Sequence, residues 1–268
     1  MGLLRRMQNW LWPTNGRPPA GYDLYEQLRE ADAEFRAKRL ARARDLLLKA
    51  AEQRPGITDP RVVVYINTTL TSIWMAEEQF DAAITYFSEY IANYPTEFEP
   101  FRFRAINFWY AGRLAEAISD YSRALDFKPD DLSALSARGQ TYAECGEFEK
   151  AMHDLDLVLR ELENSPPPDS EVTLWFSHLE AYTRNGRGLA LGGLGEVKRA
   201  MEEFELSNRL AGENAWLNFN RAQIHERFGN FPSAAEDYRE ALEKNGPQLT
   251  PLKRARALSK ISELSHRQ

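Results

Sequence analysis

The chain has 268 residues and a formal net charge of −6, with 34 Lys and Arg against 40 Asp and Glu. This acidic balance argues against a general nucleic-acid binder, which usually presents a basic face. The single cysteine excludes an internal disulfide framework. No apolar run reaches the ~20 residues that cross a bilayer, so we expect no transmembrane helix. We also expect no signal peptide, because Leu3-Leu4 is followed at once by Arg5-Arg6.

Residues 1–21 combine a short amphipathic segment with a tether rich in proline and glycine. The apolar side chains that could share one face of the segment are Leu3, Leu4, Met7, Trp10, Leu11 and Trp12. Basic amphipathic helices with tryptophan bind membrane interfaces, so one interpretation is contact with a membrane surface or a membrane-bound complex. The other interpretation is that the segment folds back over the apolar edge of the residues that follow it.

The stretch from Phe98 to Asp131 predicts two helices joined by a tight turn. Each helix has one apolar stripe with helical spacing. Gly112 allows the turn between them, and Pro129 ends the second helix because proline lacks a backbone N–H. The stripe residues are Phe101, Ala105 and Phe108 in the first helix and Ala117, Tyr121 and Ala124 in the second. Neither helix can bury its stripe alone, so the unit needs neighbours.

The same pattern returns along the chain at a fixed interval. Ala83, Ala117 and Ala151 are spaced by 34 residues, as are Ala200 and Ala234. A helix–turn–helix of this period, with small, aromatic and proline residues at fixed positions, resembles the tetratricopeptide repeat (TPR). The resemblance implies an all-α fold, a right-handed α-solenoid of about six such repeats with a C-terminal capping helix.

The repeat also sets the expected boundaries. A solenoid over residues 22–248 would follow the N-terminal segment 1–21 and precede the capping helix in 249–268. Its expected repeats are 22–56, 60–96, 97–130, 131–164, 170–213 and 214–246, with a proline-rich insertion at 165–169. After the insertion we expect one long helix from Ser170, whose glycines would serve as a hinge or permit close backbone approach. In the last helix we expect Leu252, Ala255, Leu258 and Ile261 to face inward and Lys253, Arg254, Arg256 and Lys260 to face outward.

Repeats three to six share an arginine in the first helix and an acid sixteen residues later in the second. Repeats one and two have neither residue. Because the arginine and the acid come and go together, we expect charge pairs between helices, in which the guanidinium fork bonds the carboxylate twice. The alternative is an arginine ladder that binds an acidic ligand. The predicted pairs are Arg104–Asp120, Arg138–Asp154, Arg187–Glu203 and Arg221–Asp237.

In TPR proteins the first helix of each repeat lines a concave groove. By position, the resemblance assigns to a partner-binding groove the residues Thr68, Ser72, Met75, Arg102, Ile106, Trp109, Tyr110, Ser136, Gln140, Glu144, Asn185, Trp216, Phe219 and Gln223. Arg102, Ile106 and Trp109 share a stripe with the composition of an interface hot spot. The alternative is packing against the adjacent repeat. The groove lacks the lysine and asparagine set with which some TPR modules hold a chaperone's C-terminal carboxylate, so an acidic tail is not expected as ligand.

No pattern of reactive residues points to an enzyme. The four histidines are scattered without metal-ligand spacing, and no phosphate-binding loop or nucleophile motif is present. We therefore expect no catalytic, cofactor-binding or metal site. The principal hypothesis is a non-enzymatic cytoplasmic scaffold that binds a peptide or helix of another protein in the groove. The alternative is a peripheral assembly factor or structural subunit of a membrane-associated complex, positioned by residues 1–12.

Overall fold

The computed structural model describes residues 22–53, 56–57, 59–164, 170–212, 214–243 and 249–264. These residues form thirteen α-helices and no strand. The helices are α1 Tyr22–Arg36, α2 Leu40–Glu52, α3 Pro60–Ala76, α4 Phe80–Asn93, α5 Phe98–Tyr110, α6 Leu114–Phe127, α7 Leu132–Cys145, α8 Phe148–Asn164, α9 Ser170–Gly193, α10 Val197–Ala211, α11 Ala215–Arg227, α12 Phe231–Glu243 and α13 Pro251–Leu264. The expectations for the segment 1–21 and for the insertion 165–169 concern residues outside those described.

The helices fall into two compact units, one that ends at Tyr90 and one that starts at Ile91. In the first unit α1 packs on α2 and α2 on α3. Its core includes Leu28, Leu47 and Leu70, all fully buried. Trp74 of α3 packs on Phe87 of α4 with ring centroids 6.1 Å apart.

The second unit repeats one arrangement four times. Within each repeat the two helices pack against each other, as α5 does on α6 and α7 on α8, and the second helix then contacts the next repeat. The alanines that mark the period, Ala117, Ala151, Ala200 and Ala234, are all fully buried. Small side chains at these points let antiparallel helices approach closely, which explains why alanine occupies this position of each second helix.

The turns inside the repeats differ between the two units. In repeats three to six a glycine in the left-handed region ends the first helix, with φ between 76° at Gly112 and 90° at Gly195. Glycine adopts this conformation without a Cβ penalty. In repeats one and two the same place is taken by Lys38 and Glu78, with φ of 59° and 55°. These two non-glycine residues hold a conformation that L-residues disfavour.

Helix α9 is continuous through its glycine-rich half, and its glycines are points of close approach. A Cβ at Gly188 would lie 2.8 Å from the Phe204 ring, and one at Gly192 would lie 2.4 Å from Ile224. The low helix propensity of these glycines is therefore offset by packing that no larger residue permits. Of the two expected roles, the structure shows the close approach.

The last helix begins as expected, and Ile261 packs against the core as expected, but Leu252, Ala255 and Leu258 do not face inward. Thr250 caps it, because the Thr250 hydroxyl accepts a hydrogen bond from the Lys253 backbone N–H at 3.2 Å. However, Leu252 and Leu258 are 66% and 61% exposed, while Ala257 is fully buried. The expectation that the leucines face inward was wrong because it followed the apolar stripe alone. Ala257 and Leu264 pack into the core of the last repeat instead, and the side chain of Lys253 also enters the second unit.

Candidate functional site

The four arginine–acid pairs join the two helices of one repeat. The Arg138 Nε donates to Asp154 at 2.7 Å and its Nη2 donates to the other oxygen at 3.0 Å. Only 3% of the Asp154 side chain is exposed. Arg104–Asp120 and Arg221–Asp237 form the same two-pronged pair, and Arg187 contacts Glu203. Since each arginine has a carboxylate partner, the structure favours a charge pair over an arginine ladder.

The first helices of repeats three to six, α5, α7, α9 and α11, form what we call the inner face of the second unit. Several expected groove residues on it are buried between neighbouring helices. The Ser136 hydroxyl lies 2.8 Å from that of Thr183, and the Asn220 amide donates to Asn185 at 3.2 Å. Gln140 and Phe219 are also buried. These positions differ from the expected open groove, because adjacent first helices pack directly on one another.

The inner face brings together two tryptophans from distant repeats. Trp109 of α5 and Trp216 of α11 stack with ring centroids 4.4 Å apart and an angle of 26°. Tyr110 meets Trp109 edge to face at 4.9 Å. Both tryptophans were assigned to the groove from sequence, but their direct contact was not anticipated. The stack brings the first helix of the sixth repeat against that of the third.

Lys253 of α13 inserts its ammonium beside this stack. Its Nζ lies 4.5 Å from the Trp109 ring centroid, 4.2 Å from that of Trp216 and 2.7 Å from Glu144 Oε1. The Lys253 side chain is 13% exposed and that of Glu144 is 8% exposed. We call Trp109, Trp216 and Glu144 the ammonium cage, because a cation over two aromatic faces beside a carboxylate is strongly favoured when desolvated.

The pKa values of the titratable groups around the cage are shifted because these groups are buried away from water. Burial lowers the pKa of Lys253, and the Glu144 carboxylate opposes that shift. Burial raises the pKa of Tyr110 to about 12 and raises the pKa values of Tyr121 and Tyr182 as well. The three phenols therefore stay protonated at neutral pH and can donate hydrogen bonds.

Some polar atoms around the cage have no partner. Among the described residues, no hydrogen bond is made to the buried Trp109 Nε1, Arg102 Nε or Gln140 Oε1. Arg102 instead places its guanidinium 4.6 Å from the Phe103 ring centroid. Unsatisfied buried donors are uncommon in folded proteins, so this cluster combines a strong cation site with unfulfilled hydrogen-bonding capacity.

A cavity of about 360 Å³ adjoins the cage and shares Glu144 with it. It lies among the ends of α7, α9 and α11, beside Arg256 of α13. Gln223, Glu226 and Arg227 contribute polar side chains, and Phe148 and Ile224 contribute apolar ones. This mixed lining suits a protein side chain better than a purely apolar ligand.

The other sequence-assigned positions are only partly buried. Ile106 and Gln223 are half-buried on the inner face of the second unit. Thr68, Ser72 and Met75 lie on α3 of the first unit with similar exposure, and the Ser72 hydroxyl donates to the Thr68 carbonyl at 2.9 Å. Sequence reasoning missed Lys253, because a lysine on an amphipathic terminal helix normally faces solvent.

Within the described residues, no group of three or more His, Cys, Asp or Glu is placed to hold a metal ion. None of the described helices is long and apolar enough to cross a membrane. Cys145, the one cysteine of the sequence, is free and exposed as a residue, but partial burial of its thiol and the nearby carboxylates of Glu144 and Glu147 raise its pKa.

Comparison with known proteins agrees with this architecture. Residues 108–146 match the family described as "TPR repeat", and residues 185–250 match the family described as "Tetratricopeptide repeat". The mouse (Mus musculus) protein "Tetratricopeptide repeat protein 14" is 36% identical over 61 residues, which are 23% of this chain and 8% of that protein. The match thus spans only a small part of that relative's length.

Solved structures share the fold at low sequence identity. A tetratricopeptide repeat protein from Parabacteroides merdae is 18% identical with a TM-score of 0.54, covering 91% of this chain and all of that one. Pseudomonas aeruginosa pilF is 13% identical with a TM-score of 0.55, covering 91% of this chain and 97% of that one. The Cut9–Hcn1 complex of the APC/C gives 15% identity and a TM-score of 0.61, covering 98% of this chain and 46% of that one.

The helix–turn–helix repeats and these matches define an all-α fold of the tetratricopeptide-repeat class. Residues 108–146 and 185–250 are tetratricopeptide repeats, and the chain shares the fold of solved tetratricopeptide-repeat proteins. Proteins of this class are in general protein-interaction scaffolds without catalytic activity.

Proposed function

We propose that the chain is a non-catalytic scaffold that binds a peptide or helix of a partner protein on the inner face of its second unit. The observation that carries this proposal is the position of α13 against the inner face. The inner face already holds a helix there, through an aromatic pair, a buried carboxylate and a shared cavity. A surface that accommodates one helix has the shape and chemistry to accommodate another.

The composition of the site supports the same function. Tryptophan, tyrosine and arginine dominate the energetics of protein interfaces, and Trp109, Tyr110 and Arg102 lie on one helix here. Rigid aromatic side chains bury a large area with little loss of conformational entropy. The partly exposed Ile106, on the same helix, would lie at the edge of the contact.

The proposal is tested by affinity capture from the source cells in mild detergent, followed by identification of the retained proteins. Three chains are compared: wild type, Ile106→Glu and Leu210→Glu. Ile106 is half-buried on the inner face, while Leu210 is 36% exposed on α10, a second helix. Both substitutions place a charge at a partly exposed apolar position, so they are matched in chemistry. Circular dichroism first establishes that each chain is folded.

We expect wild type and the Leu210→Glu chain to retain the same partner and the Ile106→Glu chain to lose it. Retention by the Ile106→Glu chain together with loss by the Leu210→Glu chain would place binding on the second helices and refute the proposal.

A further inference from the structure

We propose that α13 is an internal ligand of the ammonium cage, and that the partner is a basic helix which presents its own lysine to Glu144 and displaces α13. This inference rests on the proposed function and specifies both the partner's chemistry and the regulation of the site.

The contacts of α13 define what the site recognises. Lys253 meets Glu144 at 2.7 Å beside the two stacked tryptophans, and two turns further along α13 Lys260 meets Glu226 at 2.6 Å. Residues seven apart lie on the same side of a helix. Between them the fully buried Ala257 allows close approach of the helix backbone. The inner face therefore offers two carboxylates at a spacing that matches lysines at i and i+7, with a small residue at i+4.

The seat of α13 is unusual for a permanent cap. A terminal cap normally buries its apolar stripe and leaves its charges in water. Here Leu252 and Leu258 are exposed while Lys253 is buried. Removing an ammonium from water carries a large desolvation penalty, whereas burying a leucine is favourable. Ala257 and Leu264 of α13 do pack into the core of the last repeat, but the first turn of the helix is held by charge contacts that another lysine-bearing helix could reproduce.

The cage itself also favours exchange. Trp109 Nε1 is buried and meets no acceptor among the described side chains and backbone. A displacing helix that brings a carbonyl or amide oxygen to this N–H would satisfy a donor that α13 leaves unsatisfied. This gives a partner an advantage over the internal helix beyond equal lysine contacts.

The test uses a synthetic peptide with the sequence of residues 249–264 as probe, labelled for fluorescence anisotropy. It is titrated with the full wild-type chain and with a full chain carrying Lys253→Gln and Lys260→Gln, in which the internal helix competes poorly. A second peptide, with both lysines replaced by glutamine, is the matched control.

We expect the lysine peptide to bind the double variant about tenfold more tightly than wild type, because the site is no longer occupied. The glutamine peptide should bind weakly to both chains. Adding Glu144→Gln to the double variant should abolish the preference for the lysine peptide. Equal affinities of the lysine peptide for the two chains, or equal binding of the two peptides, would overturn the inference.

Hydrogen exchange on the wild-type chain gives a second measurement that needs no variant. We expect the amides of α13 to exchange through local opening, faster than those of α11. Exchange of α13 only through global unfolding would overturn the inference. A captured partner that binds the Glu144→Gln chain with unchanged affinity would also overturn it, while leaving the proposed function intact.

Discussion

Lys253 and Glu144 form a buried ion pair, with the Lys253 ammonium 2.7 Å from the Glu144 carboxylate, although one residue lies on the last described helix and the other in the fourth repeat. The pair holds the first turn of α13 against the inner face, while Ala257 and Leu264 of that helix pack into the core of the last repeat and Leu252 and Leu258 stay exposed. The same contact links the stability of the second unit to its proposed function, since the residues that hold α13 are those we assign to partner binding.

The arginine–acid pairs should contribute strongly to stability. We expect Arg138→Ala to lower the free energy of unfolding by about 3 kcal/mol, because Asp154 would remain buried without its partner. The matched control is Arg123→Ala, which breaks an exposed pair with Asp126 and should cost less than about 1 kcal/mol. Urea denaturation measures both. Equal losses of unfolding free energy from the two substitutions would show that the buried pair contributes no more to stability than the exposed pair.

The glycines of α9 should not tolerate alanine, although alanine is the better helix former. We expect Gly188→Ala to destabilise the chain by about 1–3 kcal/mol, because the new Cβ would lie 2.8 Å from the Phe204 ring. Gly56→Ala serves as control, since a Cβ there meets nothing within 4 Å. Thermal unfolding compares them. A stabilising effect of Gly188→Ala would mean that propensity outweighs packing in this helix.

The turn of the first repeat offers a stabilising substitution. Lys38 has a φ of 59°, where the later repeats have glycine. Lys38→Gly should raise the free energy of unfolding by about 1 kcal/mol because it removes the left-handed strain. Lys38→Ala keeps the Cβ and should give no such gain. The urea midpoints of the two variants measure their stability. An equal increase in stability from alanine and from glycine would exclude backbone strain as the cause.

His225 should make stability depend on pH. Burial lowers its pKa below the usual 6.5, a shift opposed by Asp237, with its carboxylate at 3.7 Å, and reinforced by Arg221. As pH falls through 6.5, the unfolded chain takes up this proton before the folded chain does, so the folded state loses stability.

A His225→Gln chain lacks that proton uptake. The difference in unfolding free energy, wild type minus variant, should therefore decrease between pH 7.5 and pH 5. Urea titrations at several pH values measure this difference. A difference that stays constant over this range would contradict the assigned shift.

The regular part of this structure was predictable and the irregular part was not. The fixed spacing of the alanines predicted the repeats, because the same close packing of two helices recurs at Ala117 and at its equivalents. The partnership of Arg104 with Asp120 was readable because both residues are absent together from the first two repeats. The stack of Trp109 on Trp216 was not readable, since it depends on how small rotations accumulate over several repeats.

The orientation of α13 escaped sequence reasoning for a similar reason. Its pattern predicts burial of Leu252 and Leu258, and only the position of Glu144 in three dimensions explains why Lys253 is buried instead. Local periodicity predicts which face of a helix is apolar, but it does not predict a charged partner residue on another helix.

Hydrogen exchange on the full chain, with and without the captured partner, tests the proposed displacement of α13 most directly. We expect binding to increase protection in α5, α7 and α11 and to decrease it in α13, because the partner replaces the internal helix on the inner face. Increased protection confined to the second helices, with α13 unchanged, would contradict it.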